Sequence, residues 1–149
     1  MSYWIFKVNP DRYNIDRRLH DPEPQTSWRV TRYKDEIKKG DTAFIWRAGP
    51  GRGICAVVRI DTDPAEMEEL KAEQKYHVKR DDKIIERVLG TFTLRFRCIP
   101  STQLKNTPGL KKLSVFNRKV WQQGTNFKVT DEEGQILMRV VEARCEESE

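Results

Sequence analysis

The sequence has only three cysteines, Cys55, Cys98 and Cys145, an odd and widely spaced set with no C-x-x-C pair. That excludes a disulfide framework and a cysteine-based zinc site, and Cys55 and Cys98 are expected to pack inside strands. Its two histidines, His20 and His77, stand far apart, each without a cysteine or second histidine at ligand spacing, so no metal site is expected. No stretch approaches the roughly 18 consecutive apolar residues of a membrane span. The start, MSYWIFKVNP, lacks the basic flank, long apolar core and cleavage site of a signal peptide. A cytoplasmic protein with no membrane partner is expected. No Ser/His/Asp, Cys/His or paired-carboxylate arrangement stands out, which argues against catalysis, and no cofactor is expected. The glycine cluster Gly49-Pro50-Gly51-Arg52-Gly53 joins two predicted strands. A phosphate-cradling P-loop instead joins a strand to a helix and ends in a lysine followed by a hydroxyl residue.

What is present suffices for one core. With 149 residues, 37% of them hydrophobic, the chain reads as a single domain over 1–145 with an acidic tail at 146–149. The formal net charge of +5 is mildly basic, but its distribution is uneven. Arg29, Arg32, Lys34, Lys38, Lys39, Arg47 and Arg52 gather between Trp28 and Ile60, while Glu66, Glu68, Glu69, Glu73 and the C-terminus hold much of the acid. A localised basic surface suits nucleic acid, since phosphate contacts supply most non-specific affinity. An ordinary solvated face is the alternative for any one of these charges.

Tyr3–Val8 is aromatic and β-branched and reads as a buried strand closed by Asn9-Pro10. Residues 11–27 are poor in apolar side chains and carry two prolines, which predicts a surface loop with at most a turn of helix. Thr31 as N-cap, Tyr33 and Ile37 on one face and Gly40 as stop predict a short amphipathic helix. Thr42–Arg47 and the apolar run ICAVVRI form a hairpin with a basic, glycine-rich tip. The acidic segment from Pro64 to Lys75 fits a surface helix or a loosely ordered excursion. Over residues 84–99, Phe92, Leu94, Phe96 and Cys98 alternate with Thr91, Thr93, Arg95 and Arg97, predicting a strand with one buried face. Leu104, Leu110 and Leu113 belong to short turns, and Thr130 with Glu133 forms the capping box of a C-terminal helix lined by Ile136, Leu137, Val140 and Val141. Together these elements predict an α+β fold, a small barrel of mostly antiparallel strands with peripheral helices.

The residues Tyr3-Trp4 through Lys7 and Pro10, Trp28 with Arg32-Tyr33, Lys39-Gly40-Asp41, Phe44-Ile45-Trp46, Gly53-Ile54 with Ala56, and Gly124-Thr125-Asn126-Phe127 followed by Thr130 and Glu133 run in an order that resembles the EVE domain family. That family lies in the PUA-like superfamily and is similar to the YTH readers of methylated adenine. The resemblance implies a PUA-like pseudo-barrel that binds nucleic acid, with a modified base, a cytosine derivative in DNA first among candidates, flipped into an aromatic pocket. It implies that Trp28 walls the pocket, that Lys7 and Asn9 meet the polar edge of the base, and that Trp46 lines the same cavity. The chain departs from the family's K-S-E-P and F-Y-H-S patterns at Lys7-Val8-Asn9-Pro10 and Ile45-Trp46-Arg47-Ala48, losing a hydroxyl at Val8 and at Ala48.

Arg29, Arg32, Arg47, Arg52, Arg118 and Lys119 are the candidate contacts to the nucleic-acid backbone. Trp121, among Arg118, Lys119, Gln122 and Gln123, is a candidate for outer stacking or for covering the closing helix. By position alone Trp28 suits a core or a site, Trp46 shares a strand face with Phe44 and suits a core equally, and Trp4 is expected in the core. Three alternatives stand beside a modified-DNA reader: a modified-RNA reader, a PUA-like hydrolase in the manner of the ASCH family, and a protein-interaction domain. The ASCH pattern G-x-K-x-x-E-x-R is not found. A separate effector protein is expected to supply any output.

Overall fold

In the computed structural model, which describes residues 1–78, 83–117 and 125–147, seven strands form one mixed, open sheet in the order β2 (Gln25–Arg29), β6 (Ile85–Pro100), β4 (Gly53–Ile60), β3 (Thr42–Arg47), β1 (Tyr3–Val8) and β7 (Asn126–Val129), with β5 (Ala65–Met67) paired to β6. Strand β1 (Tyr3–Val8) lies parallel to β3 (Thr42–Arg47) and antiparallel to β7 (Asn126–Val129). The hairpin predicted from TAFIWR and ICAVVRI is formed by β3 and β4 (Gly53–Ile60), and its tip holds Gly49 and Gly51 at φ 81° and 73°, backbone that a side chain rarely adopts. Strand β6 (Ile85–Pro100) is long enough to pair with β4, with β2 (Gln25–Arg29) and with β5 (Ala65–Met67). The sheet curves into an α+β pseudo-barrel like that of the PUA-like fold, with its helices peripheral. Helices α1 (Ile15–His20) and α2 (Lys71–Gln74) lie between strands, α3 (Ser101–Lys105) follows β6, and α4 (Asp131–Glu147) closes the chain.

Strand alternation gives the sheet two buried faces. Trp4, Phe6, Ala43, Ile45, Val58, Val88 and Phe92 face one core with Tyr13, Ile15, Trp28 and Tyr76. Ile5, Phe44, Trp46, Val57, Ile99 and Phe127 face a second core, against Leu104, Leu110, Leu113 and the α4 residues Leu137 and Val141. The capping box starts α4 as expected: Thr130 N donates to Glu133 Oε1 at 3.0 Å and Glu133 N to Thr130 Oγ1 at 3.1 Å. Helix and sheet approach closely at Gly134, where a Cβ would lie 2.2 Å from the Tyr3 ring. The helix continues through Glu146 and Glu147, which the sequence reading assigned to the acidic tail.

Three expectations need correction. The helix from Thr31 to Gly40 is absent: Tyr33 takes φ 61°, one turn closes as Ile37 N donates to Tyr33 O at 3.0 Å, and the Tyr33 ring packs 5.3 Å from Trp4. Thr31 does not cap a helix: its hydroxyl donates to Asn126 Oδ1 and accepts from Thr125 N, each at 3.3 Å, and its N–H donates to Asn126 Oδ1 at 2.8 Å. Within residues 11–27 expected as loop, Gln25 to Ser27 enter β2, whose polar residues hid the alternation that points Thr26 and Trp28 inward. In β6 the predicted single buried face breaks. Phe92 joins the first core and Leu94 and Phe96 pack on the second, because irregular register between β4 and β6, at Ile54/Ala56 and Val57/Val58, inserts residues and reverses the side chains.

Candidate functional site

The first core departs from apolar packing where the chain between β1 and β2 meets α2. Asn9 O accepts from Arg12 N and Tyr13 N, each at 3.0 Å, turning the chain after Pro10. Residues 12–14 then lie beside 76–78, with Asn14 N donating to Tyr76 O at 2.7 Å and Val78 N to Arg12 O at 2.9 Å. This holds Tyr13 between Trp28 and His77, at ring separations of 6.3 and 4.9 Å. Phe92 from β6 stands edge-on to Trp28 at 6.3 Å.

Inside this aromatic frame sits an ion pair with both side chains 1% exposed: Arg18 of α1 donates through Nε to Glu73 Oε2 of α2 at 3.0 Å. The same carboxylate accepts from the Tyr13 phenol, the Thr26 hydroxyl and, at 3.3 Å, the Ser27 N–H. Such a pair survives burial only when further hydrogen bonds compensate desolvation, and Glu73 collects them. Burial, then the Glu73 charge, pushes the Tyr13 phenol far above its ordinary pKa and keeps it a donor. Arg18 Nη2 donates to Gln25 O at 2.8 Å, and the guanidinium packs 4.8 Å from the Phe92 ring centre. His77 Nε2 and Glu69 Oε2 lie 2.5 Å apart.

Several buried polar atoms at this end of the molecule have no hydrogen-bond partner: Arg18 Nη1, Ser27 Oγ, Trp28 Nε1 and Glu69 Oε1. Each such group costs about 1–3 kcal/mol relative to hydration. Four such atoms beside one aromatic cluster make this end of the molecule the candidate site.

The residues predicted from sequence are spread over both faces. Trp28 lies in β2, 9% exposed, among Tyr13 and Phe92. Trp46 is 1% exposed in the opposite core with its ring 5.7 Å from Phe116, so the expectation that it lines the same cavity is corrected. The reason is register: Trp46 pairs with Lys7, and alternation sends both away from the face that carries Val8 and Trp28. Lys7 is half-buried with Nζ 5.7 Å from the Phe127 ring centre, and desolvation lowers its pKa. Asn9 is exposed and its Oδ1 accepts from Asp11 N at 2.9 Å. Lys7 and Asn9 therefore do not join Trp28 at the polar network.

Of the candidate backbone contacts, Arg29 ends β2 on the surface, and its carbonyl accepts from Asn126 Nδ2 at 3.1 Å. Asn126, fully buried, thus bridges Arg29 O and Thr31 N across the seam where β2 and β7 do not pair. Arg32 stacks 4.9 Å over Tyr33. Arg47 is committed to Asp16 at 3.0 and 3.1 Å, which raises its pKa, and Arg52 Nε donates to Ser101 Oγ at 3.2 Å. Arg47 also lines a surface groove of about 650 Å³ with His20, Arg95, Arg97 and Cys98. Arg118, Lys119 and Trp121 lie outside the described residues.

Sequence reasoning missed Tyr13, Arg18, Thr26 and Glu73. The usable signal was Tyr13, an aromatic placed just after the Asn9-Pro10 turn; Arg18 and Glu73 sit among residues of the same charge that remain on the surface.

A model of the EVE domain matches residues 2–140. A hypothetical protein from Leishmania major superposes with a TM-score of 0.68 at 16% identity, over 96% of each chain. A Pseudomonas putida protein does so with a TM-score of 0.63 at 23% identity, over 93% of this chain and 98% of that one. Human THYN1, solved in complex with 5-methylcytosine containing DNA, gives a TM-score of 0.65 at 20% identity, over 95% and 98%. At these identities the likeness is one of fold. Among curated proteins, no sequence matches the chain.

Proposed function

The chain belongs to the EVE domain family, and from that premise we propose that it is a non-enzymatic module that binds nucleic acid and takes a modified base, a modified cytosine in DNA, into the Trp28 end of the first core. The observation that carries this reading is the aromatic frame of Tyr13, Trp28 and Phe92 around buried donors that lack acceptors. A flat heterocycle with a polar edge complements both. The THYN1 complex with 5-methylcytosine containing DNA supports cytosine as the base and DNA as the polymer.

The energies are commensurate. Extruding a base costs a few kcal/mol of stacking and pairing. Stacking on one aromatic side chain returns about 1–3 kcal/mol, so one ring of the frame with two hydrogen bonds offsets the cost. One added methyl in an apolar slot is worth only about 1–3 kcal/mol, so preference for the methylated base is moderate. With Trp28 only 9% exposed, an entering base must displace a neighbour, and entry is coupled to local opening of the frame.

The test is competition binding with matched duplexes and RNAs carrying cytosine, 5-methylcytosine, 5-hydroxymethylcytosine or N6-methyladenine, at two salt concentrations. Preference for methylated cytosine in DNA that persists at high salt is expected. Equal affinities that fall together with salt would reduce the protein to a generic polyanion binder, and preference for a modified RNA would replace DNA as the polymer. Release of a cleaved nucleoside would move it to the hydrolase reading.

A further inference from the structure

Resting on the functional reading above, we propose that Arg18 and Trp28 read the identity of the flipped base, their two unpartnered N–H donors taking the adjacent O2 and N3 acceptors on the Watson–Crick edge of cytosine. Arg18 Nη1 and Trp28 Nε1 are both buried and without an acceptor. Both side chains pack on one ring, Phe92, with the Arg18 Cζ 4.8 Å and the Trp28 ring 6.3 Å from its centre.

Neither donor can turn elsewhere. The guanidinium is a planar fork, and Glu73 holds its Nε while Gln25 O holds its Nη2, which fixes the direction of Nη1. The indole N–H is fixed once the ring is wedged between Tyr13 and Phe92. Glu73 already accepts four hydrogen bonds, from Tyr13, Arg18, Thr26 and Ser27. Two adjacent acceptors on one ligand edge would satisfy both donors at once.

Two adjacent acceptors on a pyrimidine edge single out cytosine. Thymine and uracil place an N–H donor between their carbonyls, and a donor facing Arg18 or Trp28 is repelled. A 5-methyl group lies away from that edge, so this pair reads the base while the methyl is sensed by apolar contact. Recognition thus divides into an edge that chooses cytosine and a ring face that chooses the modification.

The experiment deletes atoms from the ligand, leaving the fold untouched. Wild-type protein is titrated with duplexes whose target base, opposite guanine, is cytosine, 5-methylcytosine, 3-deaza-5-methylcytosine or thymine. Loss of N3 is expected to weaken binding about 10- to 100-fold. Thymine is expected to bind as weakly, although its mismatch with guanine makes it easier to flip. In Trp28→Phe and Arg18→Lys, each checked by circular dichroism, the penalty for 3-deaza should vanish in the variant whose donor faces N3. If 5-methylcytosine is not preferred over cytosine, the functional reading falls and this inference with it. If it is preferred but the 3-deaza base binds equally, or thymine binds as tightly, or both variants keep the full penalty, the inference alone is overturned and the donors face water.

Discussion

The two faces of the sheet bury similar numbers of large side chains by opposite means. The face against α4 is apolar almost throughout, with Phe44, Trp46, Phe127, Leu104 and Leu137 filling it. The other face combines its aromatics with Arg18 and Glu73, both 1% exposed and joined in an ion pair. An apolar core gains stability with each contact, whereas a buried charge recovers at best what desolvation took from it. The same sheet shows that the polar arrangement was not needed to close a core, which is why the proposed site is placed on this face.

The sharpest way to break this contrast is to truncate the two tryptophans. Trp46→Ala should cost about 3–5 kcal/mol in urea unfolding through lost burial and the cavity left behind, with base preference unchanged at temperatures where the variant is folded. Trp28→Ala should lose comparable stability and also abolish preference for the modified base, leaving weak, salt-dependent binding. If Trp46→Ala removed the preference, or Trp28→Ala kept it, the division of labour between the faces would be wrong.

Next in size is the carboxylate. Glu73→Ala leaves the Arg18 charge buried without a partner and should destabilise by about 3–5 kcal/mol. For an isolated ion pair, replacing both members by apolar residues restores stability. Here Arg18→Met with Glu73→Leu should remain about 1–3 kcal/mol below the wild type for each hydroxyl stranded, because Tyr13 and Thr26 lose their acceptor. Adding Tyr13→Phe and Thr26→Val should recover most of the loss. Chemical unfolding of the double and quadruple variants decides this, and full recovery in the double variant would mean that the hydroxyls do not belong to the network.

Much of the framework was legible because its signals are local. Alternation in TAFIWR and ICAVVRI defines the hairpin, and Thr130 with Glu133 defines the start of α4. Family likeness, carried by residues in the right order, supplied the pseudo-barrel. The failures are long-range. Arg17 and Arg18 are neighbours of identical chemistry, and only Arg18 is buried because Glu73, 55 residues away, waits for it. Thr31 and Gly40 make credible helix signals, but Asn126, 95 residues on, takes the Thr31 N–H, and Tyr33 adopts φ 61° as its ring packs on Trp4. The resemblance grouped Trp46 with Trp28 because a motif gives sequence neighbours and not the face to which alternation sends them.

The smallest expected effect sharpens the comparison through pH. Asp21 accepts from the Tyr76 phenol at 2.5 Å and from Glu23 N at 3.0 Å, and these bonds, the phenol's first, hold its carboxyl down at about 2. Because the folded pKa lies below the ordinary value of 3.8, the ionised form favours the native state. That contribution is complete above pH about 4 and is lost as pH falls through the folded pKa near 2. Tyr76→Phe removes the leading cause, so the Asp21 carboxyl should titrate closer to 3.8 in a carbon-detected NMR titration, and stability should lose part of its slope between pH 4 and 2. The described side chains filling the α4 core carry no buried carboxylate, and Leu137→Val, a control for packing loss, should lower stability by the same amount across that window. An unchanged Asp21 titration in Tyr76→Phe would mean that the Glu23 N–H and nearby charge hold the carboxyl, and that Tyr76 contributes to this face through its ring alone.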